Sequence, residues 1–319
     1  MSSANNTTVD SLGSGDCVAY FCGDWIPAHS MKLSIHDVGF RQGVTAVERM
    51  RTYGGHVFRL ADHLERFDAT TNFLAIHKLP DRAAMVDLVC ELLARNREAI
   101  ARQRDVGITI FATPGAVGSA DPTLALHLNP LNHSLNQQRQ TQGQSLVITD
   151  VVQPPAASWP RSIKVRNRLH YYRADMLARS AIQKVSSYAA NSDVIGVLVD
   201  DDGSVTETSI ANVAIVEGQT IISPEPDQVL GGITQTVIEE LAASESLTWK
   251  KERLSPDRFA AADEILCMGT DAGLWFANSV IVAGKKIESK MTRNPAKIYP
   301  LLLAGFAKQT SEPASFDVS

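Results

Sequence analysis

The 319-residue sequence is short of several things, and each shortage removes a class of protein. Cysteine is scarce: Cys17, Cys22, Cys90 and Cys267 are scattered and form no C-x-x-C pair, so neither a zinc knuckle nor a disulfide framework is indicated. That usage fits a reducing cytoplasm, and no metal site is expected. No run approaches the ~18 consecutive apolar residues that cross a bilayer, and the polar opening MSSANNTTVDSLGSGD lacks the apolar core of a signal peptide. A membrane is therefore not an expected partner. Dense basic runs are missing as well. Thirty Lys plus Arg against 35 Asp plus Glu give a formal charge of -5, with nothing to track a phosphate backbone, so nucleic acid is not expected either.

What is present is ordinary globular composition, 44% hydrophobic and 20% charged, in a chain long enough at ~100–200 residues per domain for two domains. The polar, Gln-rich stretch 132–144 has little to bury and reads as a linker. The expected layout is a flexible tail over 1–16, a small N-terminal domain over 17–131, the linker, a larger domain over 145–310, and a second tail over 311–319.

Periodicity fills in the elements. Phe21–Pro27 and Lys32–His36 read as short strands, and Val44–Tyr53 with His56–Leu60 as a hairpin turned at Gly54-Gly55. A helix over Ala61–Lys78 should turn Leu64, Phe67, Thr71 and Leu74 to one face. A second, N-capped by Asp81, should bury Met85, Leu88, Val89 and Leu92 before a strand at Val106–Ala112. Further on come a strand at Ser145–Val152, a helix from Arg168 with Leu169, Tyr172 and Met176 on one face, and an antiparallel meander through Val194–Ile222. A helix over Thr234–Ala243 follows. Both halves read as α+β.

Several local patterns have chemical potential. Ser162-Ile-Lys164-Val-Arg-Asn167 puts a lysine beside apolar residues just ahead of a helix, where burial lowers an amine from its free pKa of ~10.4 and makes it nucleophilic. Glu207, within Gly203-Ser-Val-Thr-Glu-Thr-Ser-Ile-Ala-Asn212, is a strand carboxylate that needs donors if it faces inward. Leu230-Gly-Gly232-Ile-Thr234 leads from a glycine turn into a helix, aiming backbone N–H groups at whatever lies in front. Asp263-Glu-Ile-Leu-Cys-Met-Gly269-Thr270 ends a strand in a corner able to hold an anion. Upstream, Phe58-Arg59-Leu-Ala-Asp-His63-Leu-Glu-Arg66 offers arginine for phosphate or carboxylate.

In this order, and with Asp37-Val-Gly-Phe-Arg-Gln-Gly43 ahead of them, the patterns resemble the fold type IV family of pyridoxal-phosphate enzymes. These are the branched-chain aminotransferases, D-amino-acid transaminases and aminodeoxychorismate lyases. The resemblance runs from about Phe21 to Val282 and implies a two-domain α+β fold, with a small α/β N-terminal domain and a larger β-rich, cofactor-binding C-terminal domain. It implies that Lys164 forms the Schiff base with pyridoxal 5'-phosphate and moves the substrate Cα proton. Arg59 would hold the phosphate, and Glu207 would face the pyridine nitrogen. Gly232, Ile233, Thr234 and Thr270 would line the phosphate cup. Val47, Thr109, Thr270, Asp271 and Ala272 are the implied substrate contacts, and a homodimer is the implied assembly.

Departures from the family pattern bear on substrate. Val47 stands where relatives usually have an aromatic, Gln235 where an arginine is usual, and Leu169 in the place of a tyrosine that branched-chain enzymes set on the cofactor. The strand Ile108–Gly115 carries no arginine or lysine for a substrate carboxylate. The reading is a transaminase moving an amino group between an apolar, branched-chain-like amino acid and a 2-oxo acid. An aminodeoxychorismate lyase and a D-amino-acid transaminase are the alternatives; a non-catalytic phosphate binder is disfavoured by Lys164 and Glu207 both being present.

Overall fold

The computed structural model describes residues 17–183, 193–282 and 297–311. Ser311 apart, the two segments expected to be tails lie outside the described residues. The chain forms two compact units. One takes the described residues up to His133 together with Ile163–Asn167, Thr310 and Ser311; the other takes Ser134–Ser162 and the described residues from Arg168 to Gln309.

The first unit opens with β1 (Val18–Phe21) and β2 (Asp24–Pro27), an antiparallel hairpin. A single strand over Phe21–Pro27 was the expectation. Cys22 and Gly23 instead take positive φ (51° and 101°), the paired left-handed geometry of a tight hairpin turn, and fold the segment back. Lys32–His36 also differs from its reading as a strand: it joins no ladder among the described residues and is mostly exposed. Next come α1 (Val38–Gln42), β3 (Ala46–Tyr53), β4 (His56–Val57), α2 (Leu60–Phe73), α3 (Arg82–Arg95), α4 (Arg97–Ala101), β5 (Gly107–Thr113) and β6 (Thr123–Asn129). The Asp37-x-Gly39 pattern turns out to be a structural device. The buried Asp37 carboxylate caps α1 through Gly39 N at 2.7 Å and accepts the Thr113 and Thr123 hydroxyls at 2.9 and 2.7 Å, tying α1 to two strands.

The six strands form one sheet in the order β2-β1-β6-β5-β3-β4. Strand side chains alternate between faces. Ala46, Met50, Ile108, Ile110 and Leu126 therefore meet Leu64, Phe67, Met85, Val89 and Leu92 of α2 and α3 in one core, with Leu74 and Leu88 packed at its margin. Asp81 caps α3 as expected, accepting from Ala84 N at 2.9 Å. The segment 163–167 extends the β3 edge: Val47 N donates to Lys164 O, Arg166 N donates to Thr45 O, and Ala46 bridges Val165.

The stretch read as a linker holds a helix in the second unit, α5 (His133–Gln142), with no buried residue. It is followed by β7 (Gln144–Val152), α6 (Leu169–Gln183), β8 (Val194–Val199), β9 (Val205–Thr208), β10 (Asn212–Glu217), β11 (Thr220–Ser223), α7 (Ile233–Ser244), β12 (Thr248–Lys251), α8 (Pro256–Ala261), β13 (Glu264–Gly269), β14 (Gly273–Val282) and α9 (Ile298–Ser311). The sheet order is β12-β11-β10-β13-β14-β7-β8-β9, and β9 also pairs with β10. That last pairing closes six strands into a ring around Leu146, Val197, Val213, Cys267 and Trp275.

One expectation about α6 is reversed. Leu169, Tyr172 and Met176 are exposed, and Ala174, Ala178 and Ile182 face inward. The reason lies at Gly196 of β8, where an added Cβ would stand 2.5 Å from the backbone of Ala174. Helix and strand approach so closely that only small side chains fit between them, and the larger apolar residues are left outside.

Candidate active site

In the first unit, Lys164 is held by its backbone. Its carbonyl accepts from Val47 N, and its own N–H donates to the Thr70 hydroxyl at 3.1 Å. Thr70 belongs to a stripe along α2 that begins at the Arg59 cap and continues through His63 and Arg66, spacings of three and four residues that share one helix face. Beneath that stripe lies Glu48 of β3, fully buried. Arg66 grips it with two nitrogens, Nη2 at 2.6 Å from Oε1 and Nε at 2.9 Å from Oε2, and His63 Nδ1 lies 2.8 Å from Oε1. Burial alone would raise the Glu48 pKa, but Arg66 and His63 together outweigh it and hold the carboxylate well below its ordinary range. Because Glu48 is then an acceptor only, His63 donates through Nδ1. Burial keeps that imidazole neutral by lowering its pKa, reinforced by the positive fields of Arg66 and Lys164 and opposed by Glu48.

The two arginines of this motif differ sharply. Arg59 occupies the cap in a left-handed conformation (φ 53°), with its side chain 31% exposed and 3.4 Å from Asp62. Arg66 is nearly enclosed, 11% exposed. Nearby, Val47 is buried beside Lys164 on the β3 edge, and the Thr109 hydroxyl of β5 accepts from Arg49 Nη1 at 3.2 Å and Asn129 Nδ2 at 2.9 Å.

In the second unit, Glu207 of β9 is a buried hub. Oε1 accepts from the Tyr171 hydroxyl at 2.6 Å and Gln153 Nε2 at 3.0 Å; Oε2 accepts from Leu230 N at 3.1 Å and Asn212 Nδ2 at 3.3 Å. These donors are neutral, which is how a carboxylate stays solvated away from water. Burial, and then the Glu207 charge, raise the Tyr171 hydroxyl well above its ordinary pKa and keep it a proton donor. Arg161 braces the far side, bonding Gln153 Oε1 and Asp200 Oδ1, each at 3.2 Å.

Asn212 links this hub to the glycine turn, donating to Leu230 O at 2.8 Å. Gly232 comes so near that an added Cβ would lie 1.9 Å from Asn212 Oδ1, so a side chain there would push aside the amide that joins Glu207 to Leu230. Gly232 is the N-cap of α7 and offers no side chain to the first-turn N–H groups of Ile233 and Thr234, the arrangement that receives an anion. Gly269 packs against Ile210 O, bringing the Thr270 corner beside the β9–β10 turn. Helix α5 steadies that corner: Asn136 donates to Asp271 O at 2.7 Å and Gln140 to Ala272 O at 2.9 Å. Glu207, Gly232, Ile233, Thr234 and Thr270 thus gather at one end of the ring, whereas Arg59, Val47, Thr109 and Lys164 belong to the first unit.

Sequence reading named Arg66 within the α2 motif but missed Glu48, Tyr171, Gln153 and Arg161. Helical spacing was the available signal for the α2 stripe; the Glu207 donors come from segments up to 54 residues apart and left none.

The fold is that of solved aminotransferases. The branched-chain amino acid aminotransferase of T.th., solved with N-(5'-phosphopyridoxyl)-L-glutamate, superposes with a TM-score of 0.77 over 92% of this chain and 94% of that one, at 20% identity. Residues 45–280 match the model of the amino-transferase class IV family, and the chain belongs to it. It is 24% identical over 253 residues to branched-chain-amino-acid aminotransferase-like protein 2 of Arabidopsis thaliana, covering 77% of this chain and 42% of that protein, so it spans about two-fifths of that relative's length. It is 28% identical over 277 residues to the aminodeoxychorismate lyase of Bacillus subtilis (strain 168), covering 84% and 86% of the two chains. To the D-alanine aminotransferase of Staphylococcus epidermidis (strain RP62A) it is 24% identical over 255 residues, covering 78% and 84%.

Class IV amino-transferases use pyridoxal 5'-phosphate. The residues present fit that group: a buried carboxylate that accepts from Tyr171 and a backbone N–H suits a ring nitrogen, and a helix start with no side-chain cap, packed closely on Asn212 through Gly232, suits a phosphate.

Proposed function

We propose that the protein is a pyridoxal-phosphate-dependent transaminase, moving an amino group between an apolar, branched-chain-like amino acid and a 2-oxo acid. The observation that carries this reading is Glu207, a buried carboxylate donated to from four sides at the mouth of α7. When bound, the cofactor supplies an electron sink for the carbanion at the substrate Cα.

The chain's own residues do the rest. Glu207 keeps the ring nitrogen protonated, with Tyr171, Gln153 and Asn212 fixing its two oxygens. The phosphate falls to Ile233, Thr234 and Thr270 together with an arginine of the α2 motif. Arg59, at the head of that motif, is the choice the family resemblance supports, because Arg66 is taken up by both oxygens of the buried Glu48. Lys164 Nζ anchors the cofactor and takes the proton from the substrate Cα. Asp271 and Ala272 offer backbone at the Thr270 corner, while Val47 supplies apolar contact. A homodimer in the cytoplasm is the setting that the family resemblance and the cysteine usage support.

Borohydride reduction of the purified protein tests the assignment: the cofactor becomes covalently fixed to the peptide carrying Lys164. Attachment to another peptide, or a protein that takes up no cofactor, defeats it. The similarity to an aminodeoxychorismate lyase favours one second reading, distinguished by release of pyruvate without any amino acceptor. A half-reaction screen over L- and D-amino acids separates the D-amino-acid alternative.

A further inference from the structure

We infer that Arg49 is the cation that receives the substrate carboxylate, on the face that β3, β5 and β6 turn away from α2 and α3. Both substrates of a transamination, amino acid and 2-oxo acid, carry that carboxylate, so one fixed cation serves both half-reactions. The inference rests on the transaminase reading and adds to it the recognition of the group that the two substrates share.

Strand alternation places Arg49 there. Ala46, Glu48 and Met50 face the helices, so Val47, Arg49 and Arg51 face the other way. The register then builds three rows across the sheet: Val47, Phe111 and Ala125; Arg49, Thr109 and His127; Arg51, Gly107 and Asn129. An apolar row is followed by a polar, cationic one. Val165 bridges Ala46 and shares its side, which puts Lys164 and Arg166 on the face of Val47. The positive field of Arg166 at His127 agrees with that placement. Lys164 thus stands beside the first row and Arg49 in the second, two strand residues or about 6.7 Å further along. A substrate reacting at the lysine, with the reach of an arginine side chain, spans that interval.

The seat of Arg49 is built. Nη1 donates to the Thr109 hydroxyl at 3.2 Å, and Thr109 is itself held by Asn129 at 2.9 Å. The guanidinium lies flat over Gly107, where a Cβ would come 2.4 Å from Nη2 and 2.6 Å from Cζ. Glycine at 107 therefore makes room for a planar fork that is half-buried and set on a rigid sheet, the geometry suited to a carboxylate. The strand Ile108–Gly115 needs no cation of its own when its neighbour β3 supplies one.

Two probes of one shape decide the matter: 3-methylbutanoate and its uncharged amide, titrated calorimetrically into the purified holoprotein. The wild type should bind the acid at least about tenfold more tightly than the amide, the effect of one charge-assisted pair. Arg49→Gln should abolish that preference while cofactor retention, read by absorbance after gel filtration, is unchanged. In turnover, the KM for an amino acid should rise about tenfold to a hundredfold, with no change for isopentylamine, which has the same skeleton without the carboxylate. Gly107→Ala keeps the charge and displaces the guanidinium, so it should act in the same direction and serves if Arg49→Gln is not recovered folded. A wild type without preference, or an Arg49→Gln protein that keeps it, overturns the inference. Failure to fix the cofactor on Lys164 instead overturns the functional reading, and the acid-against-amide titration still reports on Arg49.

Discussion

Glu48 and Glu207 are two buried glutamates, one in each unit, held by different sets of donors. Glu48 lies under α2 against a bidentate arginine and a histidine, whereas Glu207 accepts from a phenol, two amides and a backbone N–H. A cationic donor depresses a carboxylate's pKa, and a neutral donor solvates the carboxylate without adding charge. The first arrangement suits a brace that holds α2 on the sheet beneath Lys164. The second suits a group meant to present its charge to something bound.

The contrast is sharpest in stability. Glu48→Gln strands a nearly enclosed guanidinium and should cost about 3–5 kcal/mol. Glu207→Gln disturbs neutral hydrogen bonds and should cost about 1–3 kcal/mol, while damaging turnover far more. Urea-unfolding midpoints for the two proteins check this; equal losses, or a larger loss at Glu207, would break the distinction between brace and presented charge. Next in size is the comparison of arginines. Arg59→Ala should weaken cofactor retention by about 1.5–3 kcal/mol, the worth of a hydrogen bond to a charged group, whereas Arg66→Gln should act on stability, since it leaves the buried Glu48 without its bidentate cation. Dialysis and urea unfolding measure the two effects, and cofactor loss confined to Arg66→Gln would move the phosphate to Arg66.

Acid should reveal the first unit in two steps. His63 has a folded pKa below its ordinary 6.5, so the unfolded chain binds the extra proton and stability falls as pH drops through 6.5. Glu48 has a folded pKa below its ordinary 4.5, so its contribution, complete above that value, is lost as pH falls further. Unfolding midpoints followed from pH 8 to pH 3 should show both declines, with the lower one reduced in Glu48→Gln; an unchanged lower decline would assign it to other carboxylates. The smallest effect belongs to the exposed cap of α3, where Asp81→Ala should cost about 1 kcal/mol without touching cofactor retention. A loss of cofactor there would show that the two functions of the unit, folding and binding, are less separable than Glu48 and Glu207 imply.

Much of the fold was legible because it repeats at short range. The core faces of α2, α3 and α7, the Asp81 cap and the β8–β11 meander follow from period and turn chemistry that any few consecutive residues display. The misreadings share a cause. Leu169, Tyr172 and Met176 are apolar at helical spacing, and what turned them outward was Gly196, a residue on another element. The Gln-rich stretch, within which the two units divide, also holds α5, whose amides bond the carbonyls of Asp271 and Ala272, more than a hundred residues away.

The same division runs through the site. Local sequence by itself determined that a lysine precedes a helix, that a glycine turn opens α7, and that a strand carries Glu207, since each is a matter of neighbours along the chain. Only the tertiary structure decided that Glu207 is held by Tyr171 and Gln153, that Arg66 is enclosed where Arg59 is not, and that Arg49 lies over Gly107. The reason is physical: burial, and the donors that make burial tolerable, are set by which distant segments meet, and no local pattern records that meeting.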